Sequence, residues 1–214
     1  MMPNYHPSES LTLEWAAGTL SSGRALIMAT HLDVCASCRH DAARAESIGG
    51  ALLSDLTGTA MKSDALALAL ARIERPVAEA PAGAAKIQPA DWIIVPQAVS
   101  QAVSRGRPWN APGVWMAPIR GDGSNERTYL LGMSPGIQVP LHTHRGAELV
   151  CVLKGAFADG DHIYRPGDVC ESDESVEHRP GVAGDAECVC LVASDHALIA
   201  RDWVGRLFQP FIGI

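Results

Sequence analysis

Aromatic residues are scarce in this 214-residue chain, at 5%, and charged residues make up only 19%. Basic residues are outnumbered, 17 against 24 acidic, for a formal net charge of -7. A protein that neutralises phosphates needs clustered Lys and Arg, so this balance argues against direct nucleic-acid binding. It suits a basic partner. No apolar run approaches the ~20 residues of a membrane span, so no membrane association is expected. Met1 to Tyr5 hold no basic segment and no long apolar stretch follows, so a cytoplasmic location is expected. The six cysteines are Cys35, Cys38, Cys151, Cys170, Cys188 and Cys190. Without a secretion signal they read as reduced thiols or metal ligands, not as a disulfide framework.

What is abundant is apolar: 47% of the residues, a composition that folds. The texture of the chain changes near residue 76. Before it, Ala and Leu dominate. Ser8 and Ser10 offer N-caps, and Leu13, Ala16, Ala17 and Leu20 recur at helical spacing. Ser21-Ser22-Gly23 breaks that helix. A second helix is expected over about Arg24–Arg44, a third over Ser47–Leu56 and a fourth over Met61–Ile73. Together they describe a small four-helix bundle. Pro76 to Pro89 reads as an extended linker. Beyond it, short apolar segments alternate with turns: Trp92–Val95, Val114–Ile119, Arg127–Met133, Ala147–Leu153, His162–Tyr164 and Cys188–Ala193. That rhythm indicates an antiparallel sandwich or barrel. The expected division is a helical domain over 1–75, a linker over 76–90 and a β domain over 91–214. The bundle is expected to fold on its own, with no rigid contact across the linker.

Two groups of residues carry chemistry. On a continuous helix at ~100° per residue, His31, Cys35 and Cys38 share one stripe. One imidazole and two thiolates are the donors zinc prefers, and a closed structural site wants four. His40 falls on the opposite side. His6 precedes the first helix, and an antiparallel hairpin of helices one and two would return it to the stripe. His6 is therefore the expected fourth ligand, with Asp41 or water in reserve. Cys35-x-x-Cys38 also admits a redox pair or plain buried thiols.

The second group is His142, His144 and Glu148, which share parity and so share one face of a continuous strand. Their pattern, Gly136-x5-His142-x-His144-x3-Glu148-x6-Gly155, resembles the first cupin motif at every specified position. A second motif would add a histidine from a facing strand. His178 takes that place, although it lies further past the turn Arg165-Pro166-Gly167-Asp168 than the motif normally has it. Three imidazoles and a carboxylate suit zinc or another divalent transition metal. His162 follows a hairpin turn and is expected in solvent, as is His196. Cys151 has the opposite parity to Glu148 and should point away from the metal. Cys188 and Cys190 face one side of a strand, either as small buried hydrophobes or as a redox-sensitive pair. The acidic stretch Asp168 to Glu177 reads as a solvated loop.

The His31-x-x-x-Cys35-x-x-Cys38 helical region resembles the zinc-binding anti-sigma factors. Followed by a cupin, it resembles the ChrR-type anti-sigma factors, over nearly the whole chain. That resemblance implies a zinc-binding bundle that sequesters an extracytoplasmic-function sigma factor. It also implies a cupin β-barrel that senses singlet oxygen and related oxidants rather than turning over a substrate. The rival reading is a metal-dependent cupin enzyme, a dioxygenase or isomerase, with a helical extension. Residues 1–75 carry 6 basic and 8 acidic side chains, too even a balance for an acidic mimic of DNA. The partner contact of the helices would have to be apolar.

Overall fold

A computed structural model of the chain describes residues 2–74, 99, 109–119 and 126–201. The expected linker over 76–90 and the expected strand Trp92–Val95 lie outside the described residues.

Among the described residues four named helices come first: α1 (Glu9–Ala17), α2 (Ser22–Val34), α3 (Ala36–Ser54) and α4 (Ala65–Ile73). Ser8 caps α1, its hydroxyl accepting from the Leu11 amide, and Gly18 ends the helix at φ 68°. The expected Arg24–Arg44 helix is corrected. It is broken at Cys35, whose φ of -110° and ψ of 105° are extended. Arg39 folds back to donate to the carbonyls of Leu32 and Asp33, which are left without helical partners at the end of α2. The expected separate helix at Ser47–Leu56 is instead the second half of α3. α1, α2 and α3 pack on one another, α2 packs on the β-sheet as well, and α4 has no buried residue.

Among the described residues twelve strands follow. The largest sheet has the order β1-β2-β3-β11-β5-β8. Its members are β1 (Trp109–Ala111), β2 (Val114–Ile119), β3 (Arg127–Met133), β5 (Glu148–Lys154), β8 (Val169–Ser172) and β11 (Cys188–Ser194). Two three-stranded sheets accompany it. One joins β10 (Gly181–Val182), β6 (Phe157–Asp159) and β7 (His162–Tyr164). The other joins β12 (Ile199–Ala200), β4 (His142–Thr143) and β9 (Glu177–His178). The expected closed barrel is corrected to three open, cupin-like sheets. Four of the strands in the small sheets are two residues long, and among the described residues none of them pairs with a strand of the large sheet.

The large sheet is buried on both faces. Tyr129, Val152, Cys188, Cys190 and Val192 point inward, toward Phe157, Tyr164 and Val182 of the small sheet. Leu130, Leu149, Cys151, Leu153, Val189 and Leu191 point outward, into one core with Ile27, Met28 and Leu32 of α2. This explains why Cys188–Ser194 is apolar without alternation: all seven residues are buried. It also corrects the expectation of no rigid contact between the two regions. At its start α2 lies so close to β3 that a Cβ on Gly23 would sit 2.2 Å from Thr128 Oγ1. Glu126 caps this end, accepting from Ser21 Oγ at 2.5 Å and Gly23 N at 2.7 Å. Arg24 reaches Asp195 at 2.6 Å.

Candidate metal centres

The break at Cys35 changes how the helical cluster is built. His31 sits in the last turn of α2, Cys35 at the junction, and Cys38 in the first turn of α3. One stripe on one helix is replaced by a corner between two. His6 arrives from the extended segment before α1. The ligand atoms of His6, His31, Cys35 and Cys38 all lie within 4.8 Å of one another. His6 Nδ1 is 3.3 Å from the Cys38 sulfur and 3.5 Å from that of Cys35. Zn–N and Zn–S bonds at a tetrahedral angle place such donors ~3.5 Å apart.

The tautomer of His31 is set by its surroundings. Its Nδ1 donates to the Gly167 carbonyl at 2.7 Å, an oxygen that can only accept. Nε2 therefore carries a lone pair, and it is buried with no hydrogen-bond partner. Burial lowers the pKa of this imidazole and keeps it neutral, as a ligand must be. Burial acts to raise the Cys35 thiol, but hydrogen bonds from Ser37 and Cys38 outweigh it and set Cys35 below the ordinary value. Burial, and then Cys35 beside it, hold Cys38 up at about 11. Both cysteines sit at the N-terminus of α3, where the helix dipole favours a thiolate. His40 and Asp41 are exposed and lie outside the cluster.

The second cluster forms where the three sheets meet. His142 on β4 is the direct cross-strand neighbour of His178 on β9, and Glu148 opens β5. The continuous strand expected from His142 to Glu148 is not there, because the chain turns at Arg145-Gly146. The four residues converge all the same, their ligand atoms within 4.8 Å of one another. His178 Nε2 lies 2.9 Å from His144 Nε2 and 3.0 Å from His142 Nε2. His144 Nε2 is 3.6 Å from a Glu148 oxygen. His142 Nδ1 donates to the Pro140 carbonyl at 2.8 Å, and His178 Nδ1 faces the Asp159 carboxylate at 2.5 Å. Both Nδ1 atoms therefore carry the proton, and the two Nε2 lone pairs confront each other. A cation between them would relieve that repulsion. Neighbouring donors on a six-coordinate ion with ~2.1 Å bonds are ~3.0 Å apart. Burial drives His142 and His144 down to about 4 and Glu148 up to about 7.

Sequence reasoning missed Asp159, which orients His178. It also missed Asp168, placed in a solvated loop but 1% exposed in the structure. Asp168 accepts from the amides of Asn4 at 2.6 Å, Tyr5 at 3.1 Å and Arg165 at 2.7 Å. A carboxylate just after a Pro-Gly turn was the available signal. Cys188 and Cys190 are both buried as free thiols that share a hydrogen bond, their sulfurs 3.7 Å apart. Cys151 points to the helices, away from the metal cluster. His162 is exposed, although Tyr5 Oη lies 3.2 Å from its Nδ1. His196 places Nδ1 2.7 Å from the Arg145 carbonyl.

A model of the ChrR cupin-like domain family matches residues 95–198. The anti-sigma-E factor ChrR of Cereibacter sphaeroides is 33% identical over 214 residues, the whole of both chains. A crystal structure of Rhodobacter sphaeroides SigE in complex with the anti-sigma ChrR is also similar, with a TM-score of 0.74 and 32% identity. That match covers 90% of this chain and 99% of that one.

Proposed function

The chain belongs to the ChrR family, and we propose that it is an anti-sigma factor that holds an extracytoplasmic-function sigma factor inactive. The observation that carries this is the full-length match to a curated anti-sigma factor. A physical feature supports it. Ile48, Leu52 and Leu53 in the last turns of α3, Leu56 just past it, and Leu66, Leu68, Leu70 and Ile73 on α4 are all at least half exposed. Apolar surface of this extent on helices fits a protein partner, and the acidic chain fits a basic one. The protein acts as a regulator and not as an enzyme. It makes no direct contact with nucleic acid and works in the cytoplasm. Among the described residues no helix is long and apolar enough to cross a membrane.

Zinc occupies the helical cluster, held by His6, His31, Cys35 and Cys38. What supports this is the donor set and the unpartnered Nε2 of His31. When bound, the ion cross-links the start of the chain to the corner between α2 and α3. The cupin cluster of His142, His144, Glu148 and His178 holds zinc or another divalent transition metal. The anti-sigma unit is residues 1–75, joined through 76–90 to the sensory cupin unit of 91–214. Oxidative stress of the singlet-oxygen type acts on the cupin unit and ends the inhibition.

The direct test is reconstitution. The metal-loaded chain, mixed with each extracytoplasmic-function sigma factor of its own cell, should form a stable complex with one of them and block transcription from its promoter. If none is bound by the folded, metal-loaded chain, the reading is wrong.

A further inference from the structure

Both imidazoles of the helical cluster are placed by two consecutive residues of the cupin-like region. The Gly167 carbonyl takes the Nδ1 proton of His31 at 2.7 Å, which turns Nε2 toward the cluster. The Asp168 carboxylate holds the amides of Asn4 and Tyr5, the two residues before His6. The Tyr5 carbonyl accepts from the Val169 amide at 3.1 Å, so the leading segment runs along the start of β8. Glu171, two residues further on, takes the Ser8 amide at 2.5 Å. His6 is thus fixed on both sides by β8 and the turn before it. Gly167 has a φ of +93°, and a Cβ there would lie 3.0 Å from both Pro3 Cγ and Val34 Cγ2. The turn is wedged between the segment carrying His6 and the end of the helix carrying His31. The two thiols need no such help, since the corner of α2 and α3 supplies them.

We propose that the Gly167–Asp168 turn positions both imidazoles of the helical cluster, so that metal affinity in the helices depends on the cupin-like region. The proposal rests on the reading that the helical cluster holds a metal. Groups that hydrogen-bond a ligand from behind fix its orientation and its tautomer. Here those groups lie 136 residues beyond His31 and 164 beyond Asn4, in the turn that leads into β8, which pairs with β5. In that pairing Ser172 is opposite Glu148. A change at the cupin cluster that shifts β5 against β8 moves the residues that orient His31 and His6. By thermodynamic linkage, metal loss from the helical cluster also loosens the leading segment from β8.

The test uses the full chain, with cobalt(II) as the probe. Thiolate ligands give cobalt a charge-transfer absorption that three imidazoles and a carboxylate do not, so the helical cluster is read separately from the cupin cluster. Asp168→Ala should weaken cobalt binding in that band by about 10–100-fold, the range for losing a group behind a ligand. Hydrogen exchange at the Asn4 and Tyr5 amides should speed up. Asp168→Asn keeps one carbonyl oxygen and should fall between. Arg24→Gln breaks a different helix-to-sheet contact and should stay within about twofold of wild type. Wild-type affinity in Asp168→Ala, with cobalt still bound at the cupin cluster, would overturn the proposal. So would an equal loss in Arg24→Gln, since the effect would then be one of general docking. If Asp168→Ala does not fold, Asp168→Asn decides: weaker binding supports positioning, and unchanged binding overturns it. Absence of the thiolate band in wild type would remove the metal reading itself, and the proposal with it.

Discussion

At the scale of single residues, the two clusters make different demands. The helical cluster includes the exposed His6, whereas His142, His144 and Glu148 are all buried. Replacing Cys35 or Cys38 by Ser should abolish metal binding in the helices, a loss beyond the ~10–100-fold expected of a group behind a ligand. It should also lower the melting temperature, because binding energy at a structural site is folding energy. His6→Ala should weaken binding, and His40→Ala should leave it intact. Metal analysis of the purified variants checks all four, and equal retention in the two histidine variants would remove His6 from the site. The cupin cluster offers a pH test in protein stripped of metal. Burial holds the Glu148 carboxyl at about 7 against an ordinary 4.5. Its raised value favours the neutral form in the fold. Glu148 therefore supports folding below the unfolded value and loses that contribution as pH rises through about 7. His142 and His144, pushed down to about 4, do the reverse and lose their contribution as pH falls through that value. Compared at equal pH, the histidines cancel between wild type and Glu148→Gln. The metal-free variant should gain on metal-free wild type by up to ~3 kcal/mol between pH 5 and pH 8. Denaturant unfolding at both pH values measures this, and a pH-independent difference would refute it. With metal restored the order should reverse, because a neutral amide is a poorer ligand than a carboxylate.

At the scale of elements, the sequence was readable wherever period and punctuation agreed. Val114–Ile119, Arg127–Met133 and His162–Tyr164 are strands as expected, each bounded by Gly, Pro or polar turn residues. Ser8 is the N-cap of α1. The break at Cys35 was hidden because no Gly or Pro marks it. The group that stabilises the break is Arg39, a side chain reaching back to carbonyls from the next helix. Spacing alone still placed His31, Cys35 and Cys38 together, since a helix and a tight corner both bring i, i+4 and i+7 close. Likewise His142, His144 and Glu148 were found through a strand that the structure interrupts. The roles of Asp159 and Asp168 were not legible, even with Asp168 marked by its Pro-Gly turn, because each depends on a partner more than a dozen residues away in sequence. The helices also divide by face. Met28 is fully buried against the sheet, while Leu70 on α4 is half exposed. Met28→Ala should cost roughly 2–5 kcal/mol in denaturant unfolding, and Leu70→Ala less than ~0.5. Leu70→Ala should instead weaken sigma-factor binding in a titration, and Met28→Ala should not while the protein remains folded. The reverse pattern would mean that the exposed face of α4 is not the partner surface.

At the scale of the whole molecule, the helices and the sheets are less independent than their sequence textures suggest. α2 completes the outer core of the large sheet, and Arg24 ties its start to Asp195. Asp195 also accepts the Ala147 amide, beside Glu148, at 2.9 Å. A disturbance at the cupin cluster therefore has a physical route to α2 at one end, through Asp195, and to the leading segment at the other, through Asp168. The apolar surface assigned to the partner lies elsewhere, on α3 and α4, where it touches neither route. This separation predicts that inhibition and response come apart by mutation. His142→Ala, His144→Ala or Glu148→Ala should empty the cupin cluster while the helical cluster keeps its metal. Each variant should still bind the sigma factor and silence its promoter, because α3 and α4 are untouched. Each should fail to release it under singlet-oxygen stress, because a signal shifts an equilibrium only through a site whose free energy differs between the two states. A transcription reporter run with and without that stress, beside metal analysis of each purified variant, makes the measurement. Normal release from a variant that has lost its cupin metal would show that the cluster only braces the fold. Loss of inhibition without stress would show instead that the cupin cluster, acting through Asp195 and α2, is needed to hold the helices in their binding form.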